Sequence, residues 1–278
     1  LVPMAGYDQE DGAYVKGIED ELPDAQYETD QHRRLVAEDI LRVWGQLSRG
    51  GKFHAIFATA SIAEAIAYYR LFKTMGSSLQ ITALFDPNID NNGNGMVKED
   101  GLIEILQDYN RRFGQDFDIA GHARFKKDVA ARLAHKDPYK RVDQTPEQEL
   151  NLLIVVDQML TGFDSKWVNT LYLDKMLQYE NIIQAFSRTN RLFGPDKPFG
   201  TIRYYRRPHT MKRNIERAVK LYSGDKPIGL FVDPLPENLT KLNELYGEIA
   251  YVFTQAGVSD FASLPAEPSE KGRFAKLF

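Results

Sequence analysis

The 278-residue sequence has no cysteine. That absence excludes a disulfide framework, a thiolate metal site and a cysteine nucleophile together. The five histidines, His32, His54, His122, His135 and His209, are scattered, without the HExxH or H-x-H spacing of a metal site. No apolar run is long enough to span a bilayer, and no charged-then-apolar leader opens the chain. The net charge of −4 excludes a bulk basic character, so any nucleic-acid contact has to come from a local patch. A phosphate loop is missing too. Gly50-Gly51-Lys52 is followed by Phe53 instead of completing G-x-x-x-x-G-K-[ST], and no D-E-x-H box follows a strand. Without those parts the chain cannot by itself cradle nucleotide phosphates or hold Mg²⁺. The chain opens on Leu1 instead of Met, and with the missing parts this reads as a piece excised from a longer protein.

What is present is an ordinary globular composition, 43% hydrophobic, with length for one large domain or two modest ones. Residues 1–28 are acidic and rich in Gly and Asp, and read as a linker or strap. Val36, Ile40, Val43 and Leu47 recur at helical spacing, predicting a helix over 29–47 that Gly50-Gly51 ends. The apolar run 53–58 predicts a buried strand. Ser61-x-x-Glu64 is a capping box, and Ile62, Ile66, Tyr69 and Phe72 continue a helix that Gly76 closes. Residues 79–85 predict a second strand, so the chain winds β-α-β. Residues 86–145 interrupt the alternation with a polar loop and helices near 102–113 and 125–135. Leu152–Val156 is a continuous apolar strand of the kind buried on both faces of a parallel sheet. Strands near 170–173 and 201–205 follow, with a helix over 181–193 between them, and helices near 211–222 and 239–255 end the pattern. The predicted class is α/β, a parallel sheet flanked by helices with a C-terminal helical extension. The predicted divisions are 1–28, 29–209 and 210–278.

The chemistry concentrates in Gln184-Ala-Phe-Ser-Arg-Thr-Asn-Arg191. On a helix, Gln184, Arg188 and Arg191 share one face, while Ile182, Phe186 and Phe193 share the opposite one. Two guanidiniums one turn apart repel each other unless an anion lies between them, and their planar forks suit phosphate oxygens. The alternative is a solvated basic face. Ahead of this segment, the strand 152–156 runs into Asp157-Gln-Met-Leu-Thr-Gly-Phe-Asp164. Thr161, Gly162 and Asp164 are expected at the carboxyl end of that strand, where parallel sheets bind ligands. Both segments would then meet at one edge.

These residues carry a resemblance. Asp157 to Asp164 resembles motif V of superfamily-two helicases and translocases, and Gln184 to Arg191 resembles their motif VI, Q-x-x-G-R-x-G-R, with Ser187 and Asn190 in place of the glycines. The strand and capped helix over Phe53–Tyr69 stand where motif IV does. More narrowly, Leu152–Met176 followed by Ile183–Leu192 resembles the restriction (R) subunit of type I restriction-modification enzymes, and the likeness covers nearly the whole chain. The resemblance implies a second RecA-like motor domain. Arg188 and Arg191 would then be arginine fingers reaching ATP held by a first such domain, with Gln184 orienting them. Gly162 and Asp164 would couple nucleotide to DNA grip, and Thr161, Thr59 and Ser61 would touch the duplex backbone. It further implies ATP and Mg²⁺ in the intact protein, methyltransferase and specificity subunits as partners, no membrane association, and a cytoplasmic location. Another DNA or RNA helicase, or a non-catalytic α/β interaction module, remains the alternative.

Three other segments resemble functional motifs. Pro23-Asp24 with Glu28-x-Asp30 lacks the lysine of a PD-(D/E)-x-K nuclease site. Asn88–Glu99 comes near a twelve-residue calcium loop, with Asp90, Asn92, Gly93 and Glu99 in register, but its first position is Asn and a polar surface loop is the expectation. The segment Arg203–Lys220 is basic and partly aromatic, and either tracks a DNA backbone or is a solvated face.

Overall fold

The computed structural model describes residues 2–86, 95–156, 158–159, 163–191, 193–223 and 235–277. The chain forms two compact units, 1–227 and 228–278.

The first unit is built on a five-stranded sheet. Its strands are β3 (His54–Thr59), β4 (Ile81–Leu84), β5 (Leu152–Val155), β6 (Val168–Asp174) and β7 (Thr201–Tyr204), after a two-stranded antiparallel ribbon of β1 (Tyr7–Asp8) and β2 (Tyr14–Val15). The order is β4-β5-β3-β6-β7, and every pairing is parallel. Every residue of β3 to β6 is buried, as continuous apolar runs in a doubly covered sheet require. Ile56 of β3 lies opposite Leu153 of β5 and Leu171 of β6, and these rows form the centre of the core. The predicted fold class is the one observed.

Helices α1 (Asp30–Leu47), α2 (Ile62–Thr74), α3 (Gly95–Phe113) and α4 (His122–Leu133) cover the sheet. Val36, Ala37, Ile40, Val43 and Trp44 of α1 are buried at the spacing read from the sequence. Thr29 caps α1 by accepting a bond from His32 N at 3.2 Å, and Ser61 caps α2 by accepting one from Glu64 N at 3.2 Å. The predicted capping box is redirected, because the Glu64 carboxylate takes Arg33 Nη2 at 2.7 Å and Nε at 3.1 Å.

The first 28 residues form more than a linker. Glu19 is buried, and its carboxylate accepts His209 N at 3.0 Å and Thr210 N at 2.7 Å, capping α6 (Pro208–Ser223). Met211 and Ala218 of α6 are buried, and Asn214 donates to the Leu177 carbonyl at 3.2 Å. These contacts place α6 with the sheet in the first compact unit. In the second unit, α7 (Leu235–Gln255) and α8 (Pro268–Leu277) pack through Phe253, whose ring lies 4.9 Å from Phe261 and 5.2 Å from Phe274.

Candidate functional site

The segment between β5 and β6 leaves the carboxyl end of one strand and reaches the amino end of the next. Ser165 anchors it there. Its hydroxyl donates to the Leu133 carbonyl at 2.9 Å and accepts from Trp167 N at 3.0 Å. Helix α5 (Glu180–Phe186) then returns the chain from the carboxyl end of β6, with Ile182, Ala185 and Phe186 buried. The predicted helix over 181–193 stops at Phe186. The reason is local competition for the last turn. Ser187 Oγ bonds the Gln184 carbonyl at 2.7 Å, Arg188 Nε bonds the same carbonyl at 3.0 Å, and Thr189 Oγ1 takes the Phe186 carbonyl at 3.1 Å. Arg188 and Arg191 therefore lie in a turn beyond the helix and do not share a helical face with Gln184.

The turn nevertheless brings the two segments together. Arg188 donates to the Phe163 carbonyl through Nη1 and to Ser187 Oγ through Nη2 at 2.8 Å. Arg191 Nε donates to Asp164 Oδ1 at 2.8 Å, with side chains 64% and 57% exposed. Among the described residues, no carboxylate lies within ion-pair distance of Arg188. Among those residues its guanidinium is held by neutral acceptors and no acid answers its charge. Thr189 is buried beneath this turn against Gly200, where a Cβ would meet Thr189 at 2.4 Å, so only glycine permits the approach.

The meeting point lies at the amino end of the sheet, not at the carboxyl end expected from the strand rule. Phe193, just past Arg191, packs 5.7 Å from Phe53 and 4.7 Å from Trp167, which precede β3 and β6. Lys52 of the glycine-flanked segment pairs with Asp196 at 2.5 Å.

The DNA-contact residues are placed differently. Thr59 is fully buried, and its hydroxyl lies 3.2 Å from the carbonyls of Val155 and Ser61. Ser61 is half-buried and serves as the cap of α2. Thr161 and Gly162 lie outside the described residues, as do Asp90, Asn92 and Gly93 of the loop that resembles a calcium site. Among the described residues no group of three His, Asp or Glu side chains converges to hold a metal ion. None of their helices is long and apolar enough to cross a membrane.

Two polar centres escaped the sequence reading. At the carboxyl end, Asp174 is fully buried and accepts from His32 Nε2 at 2.8 Å, Tyr68 OH at 2.9 Å and Arg206 at 3.0 and 3.1 Å. Burial pushes the Asp174 carboxyl up, but the bonds from His32 and Arg206 more than offset it and hold it below the usual range. At the amino end, His54 and His135 are both buried with their Nε2 atoms 2.7 Å apart, and His135 stacks on Trp167 at 3.9 Å. Burial, then the neighbouring His135, pushes His54 down to about 3, and burial pushes His135 down to about 4. Two isolated histidines at 54 and 135 carry no sequence signal for that pairing.

The basic segment over 203–220 turns out to be paired within the chain. Arg203 bonds Asp39 at 2.8 Å, Arg206 bonds Asp174, Arg207 bonds Asp24 at 2.9 Å, Arg213 bonds Tyr14 OH at 3.1 Å, and Arg217 bonds Asp8. Four of these partners precede β3, and three lie in the first 28 residues, where Asp24 and Asp8 answer the charges of Arg207 and Arg217.

A five-stranded parallel sheet, flanking helices and an arginine turn docked on the preceding loop define a RecA-like α/β domain. The family model for type I restriction enzyme subunit R, domain 3, matches residues 51–207, from just before β3 to the end of the loop before α6. The chain is 35% identical over 225 residues to the endonuclease subunit of a type I restriction enzyme from Staphylococcus saprophyticus, covering 78% of this chain and 23% of that one. A corresponding subunit from Staphylococcus aureus is 32% identical over 222 residues, covering 77% and 22%. A shorter match, 48% over 64 residues, links 23% of the chain to 16% of a putative type I restriction endonuclease subunit N-terminal part from Mycoplasma pneumoniae. The chain belongs to the R-subunit family of type I restriction enzymes. It spans under a quarter of the length of the two staphylococcal relatives.

Proposed function

We propose that this chain is the second motor domain of an ATP-driven, DNA-translocating restriction subunit, and that it supplies Arg188 and Arg191 to a nucleotide held by a first RecA-like domain. The observation that carries this reading is the state of Arg188. A guanidinium oriented by three neutral acceptors, with no acid beside it among the described residues, is set up to meet an anion from outside. Arg191 supports it, since an ion pair as exposed as that with Asp164 contributes about 0–1 kcal/mol and exchanges readily for a phosphate.

The residues present fit one part of a nucleotide site. Two guanidiniums suit the charge that spreads over a transferring phosphoryl group. They do not by themselves form a phosphate cradle, since Gly50-Gly51-Lys52 does not complete a G-x-x-x-x-G-K-[ST] loop. In this reading Mg²⁺ and the phosphate cradle belong to the first domain. ATP, when bound, supplies the phosphoanhydride whose cleavage drives translocation. Within this chain, Gln184 orients Arg188 through its carbonyl, and Asp164 holds Arg191 until a phosphate replaces it. Gly162 couples nucleotide to DNA grip, and Thr161 and Ser61 contact the duplex backbone. Methyltransferase and specificity subunits supply sequence recognition, because phosphate contacts position a motor without reading bases. A cytoplasmic setting follows from that assembly.

The test is DNA-stimulated ATP hydrolysis by the full-length subunit. Arg188→Ala is expected to lower kcat on the order of 10³-fold. The isolated chain is expected to hydrolyse no ATP, and to confer activity when mixed with a separately produced first domain and DNA. Full activity in Arg188→Ala, or hydrolysis by the chain alone, would overturn the reading.

A further inference from the structure

Lys197 is fully buried, yet among the described residues no carboxylate is bonded to it. Its ammonium donates to the Val168 carbonyl at 2.7 Å and the Lys166 carbonyl at 3.1 Å. The Lys166 carbonyl belongs to the short stretch that joins Asp164 to β6, and the Val168 carbonyl is that of the first residue of β6. The backbone of Lys197 closes the turn after the arginines, with its carbonyl accepting from Phe193 N at 3.1 Å and its N–H donating to the Gly194 carbonyl at 3.2 Å. One residue thus ties the end of the arginine turn to the end of the Asp164 loop, from beneath. A buried ammonium is costly, and a neutral side chain could brace two carbonyls more cheaply. The charge calls for a reason. The charged groups around it are Asp164 with Arg191 upon it, Lys166, and the pair Lys52–Asp196. Of these, Asp164 is the one whose field favours the ammonium.

We propose that Lys197 is a positioning residue for the arginine pair, pinning the Asp164 loop and keeping the Asp164 carboxylate compensated when Arg191 leaves it for a phosphate. The inference rests on the arginine-finger reading above and extends it to a residue outside both motifs. In this arrangement Arg191 can leave without stranding a bare carboxylate beside the developing negative charge of the phosphoryl group. Without the ammonium, Asp164 competes with the phosphate for Arg191, so the turnover step suffers more than binding.

The buried amine titrates where the idea can be tested. Burial pushes Lys197 down to about 8, with Asp164 opposing. Above that pH the amine keeps its carbonyl bonds but loses its charge, while the arginines stay protonated. ATPase kcat of the full-length subunit is therefore expected to fall along a one-proton limb centred near pH 8. Lys197→Met is expected to lower kcat at pH 7.5 about tenfold or more, with KM for ATP changed less than threefold, and to remove the limb. Lys197→Gln keeps amide donors without charge. It is expected to fold with an unchanged thermal midpoint, to turn over at an intermediate rate, and to show no limb. An alkaline limb that persists in Lys197→Gln, or wild-type kcat in that variant, would overturn the proposal. If Arg188→Ala and Arg191→Ala still abolish hydrolysis in that event, only the Lys197 role fails; if they do not, the arginine-finger reading fails first.

Discussion

The two ends of the sheet hold the same residue type in opposite circumstances. At the carboxyl end, Arg206 is 7% exposed and forks onto an Asp174 that is fully buried, with His32 and Tyr68 completing the carboxylate's bonds. At the amino end, Arg188 is bonded among the described residues to carbonyl and hydroxyl oxygens, and Arg191 reaches an acid more than half exposed. The first arrangement is closed, since every strong acceptor is occupied inside the chain. The second is open, with charge left over and solvent access. An arginine's role is therefore set by whether its charge is already answered, and the presence of the arginine alone does not reveal it.

Breaking the closed end has the larger effect on stability. Asp174→Asn leaves the Arg206 guanidinium buried with a neutral partner, and removal of one partner from a buried pair costs about 3–5 kcal/mol. Denaturant unfolding of the first unit is expected to show that loss. A change below about 1 kcal/mol would mean that the carboxyl end is not closed in solution.

Acid titration separates the ends by a smaller amount. His54 and His135 have folded-state values depressed to about 3 and about 4. An unfolded chain takes up their protons below about 6.5, and the folded chain does not, so stability falls as pH drops from 6.5 toward 4. Each histidine contributes at most about 1.4 kcal/mol per pH unit in that window. Glu149 acts in the opposite direction. Burial, then Asp143, pushes it up to about 7, so the folded chain binds its proton first as pH falls from 7 to 4.5. Glu149 offsets part of the histidine effect and His122, which burial also pushes down, adds to it, so the net expectation is a loss of stability on acidification across that window. A His54→Leu, His135→Leu double variant is expected to flatten the slope. An unchanged slope would remove the histidine pair from the account.

The smallest stability effect belongs to the open end. Arg188→Ala is expected to move the unfolding free energy by less than about 1 kcal/mol, because its bonds are to partly hydrated neutral groups. Circular dichroism melts of the wild type and the variant check this directly. A stability loss as large as that of Asp174→Asn would make Arg188 a structural brace and erase the contrast between the two ends.

Much of this architecture was legible in the chain. The fully buried β5 reads from Leu152–Val155 because an uninterrupted apolar run suits only a strand covered on both faces. Helix α1 reads from its 3.6-residue period, and the association of the 163–164 and 184–191 segments reads from their motifs and order. The stop of α5 at Phe186 was not legible, since helical periodicity does not register side chains that take the carbonyls of the last turn. Nor was the end of the sheet at which the two segments meet. The strand rule concerns where a loop leaves a strand, whereas this one carries its polar residues on to the start of the next.

What the amino-acid sequence determined by itself was the α/β class, the strand and helix cores and the identity of the arginine turn, because apolar period and local motif are properties of neighbouring residues. Which charges are answered was decided only by the tertiary structure. Glu19 caps a helix that begins at Pro208, Asp174 collects His32, Tyr68 and Arg206, and Lys197 reaches under the Asp164 loop. Those partners are brought together across up to 191 positions of chain by the packing of the sheet, and only that packing distinguishes a neutralised arginine from one left open to an anion.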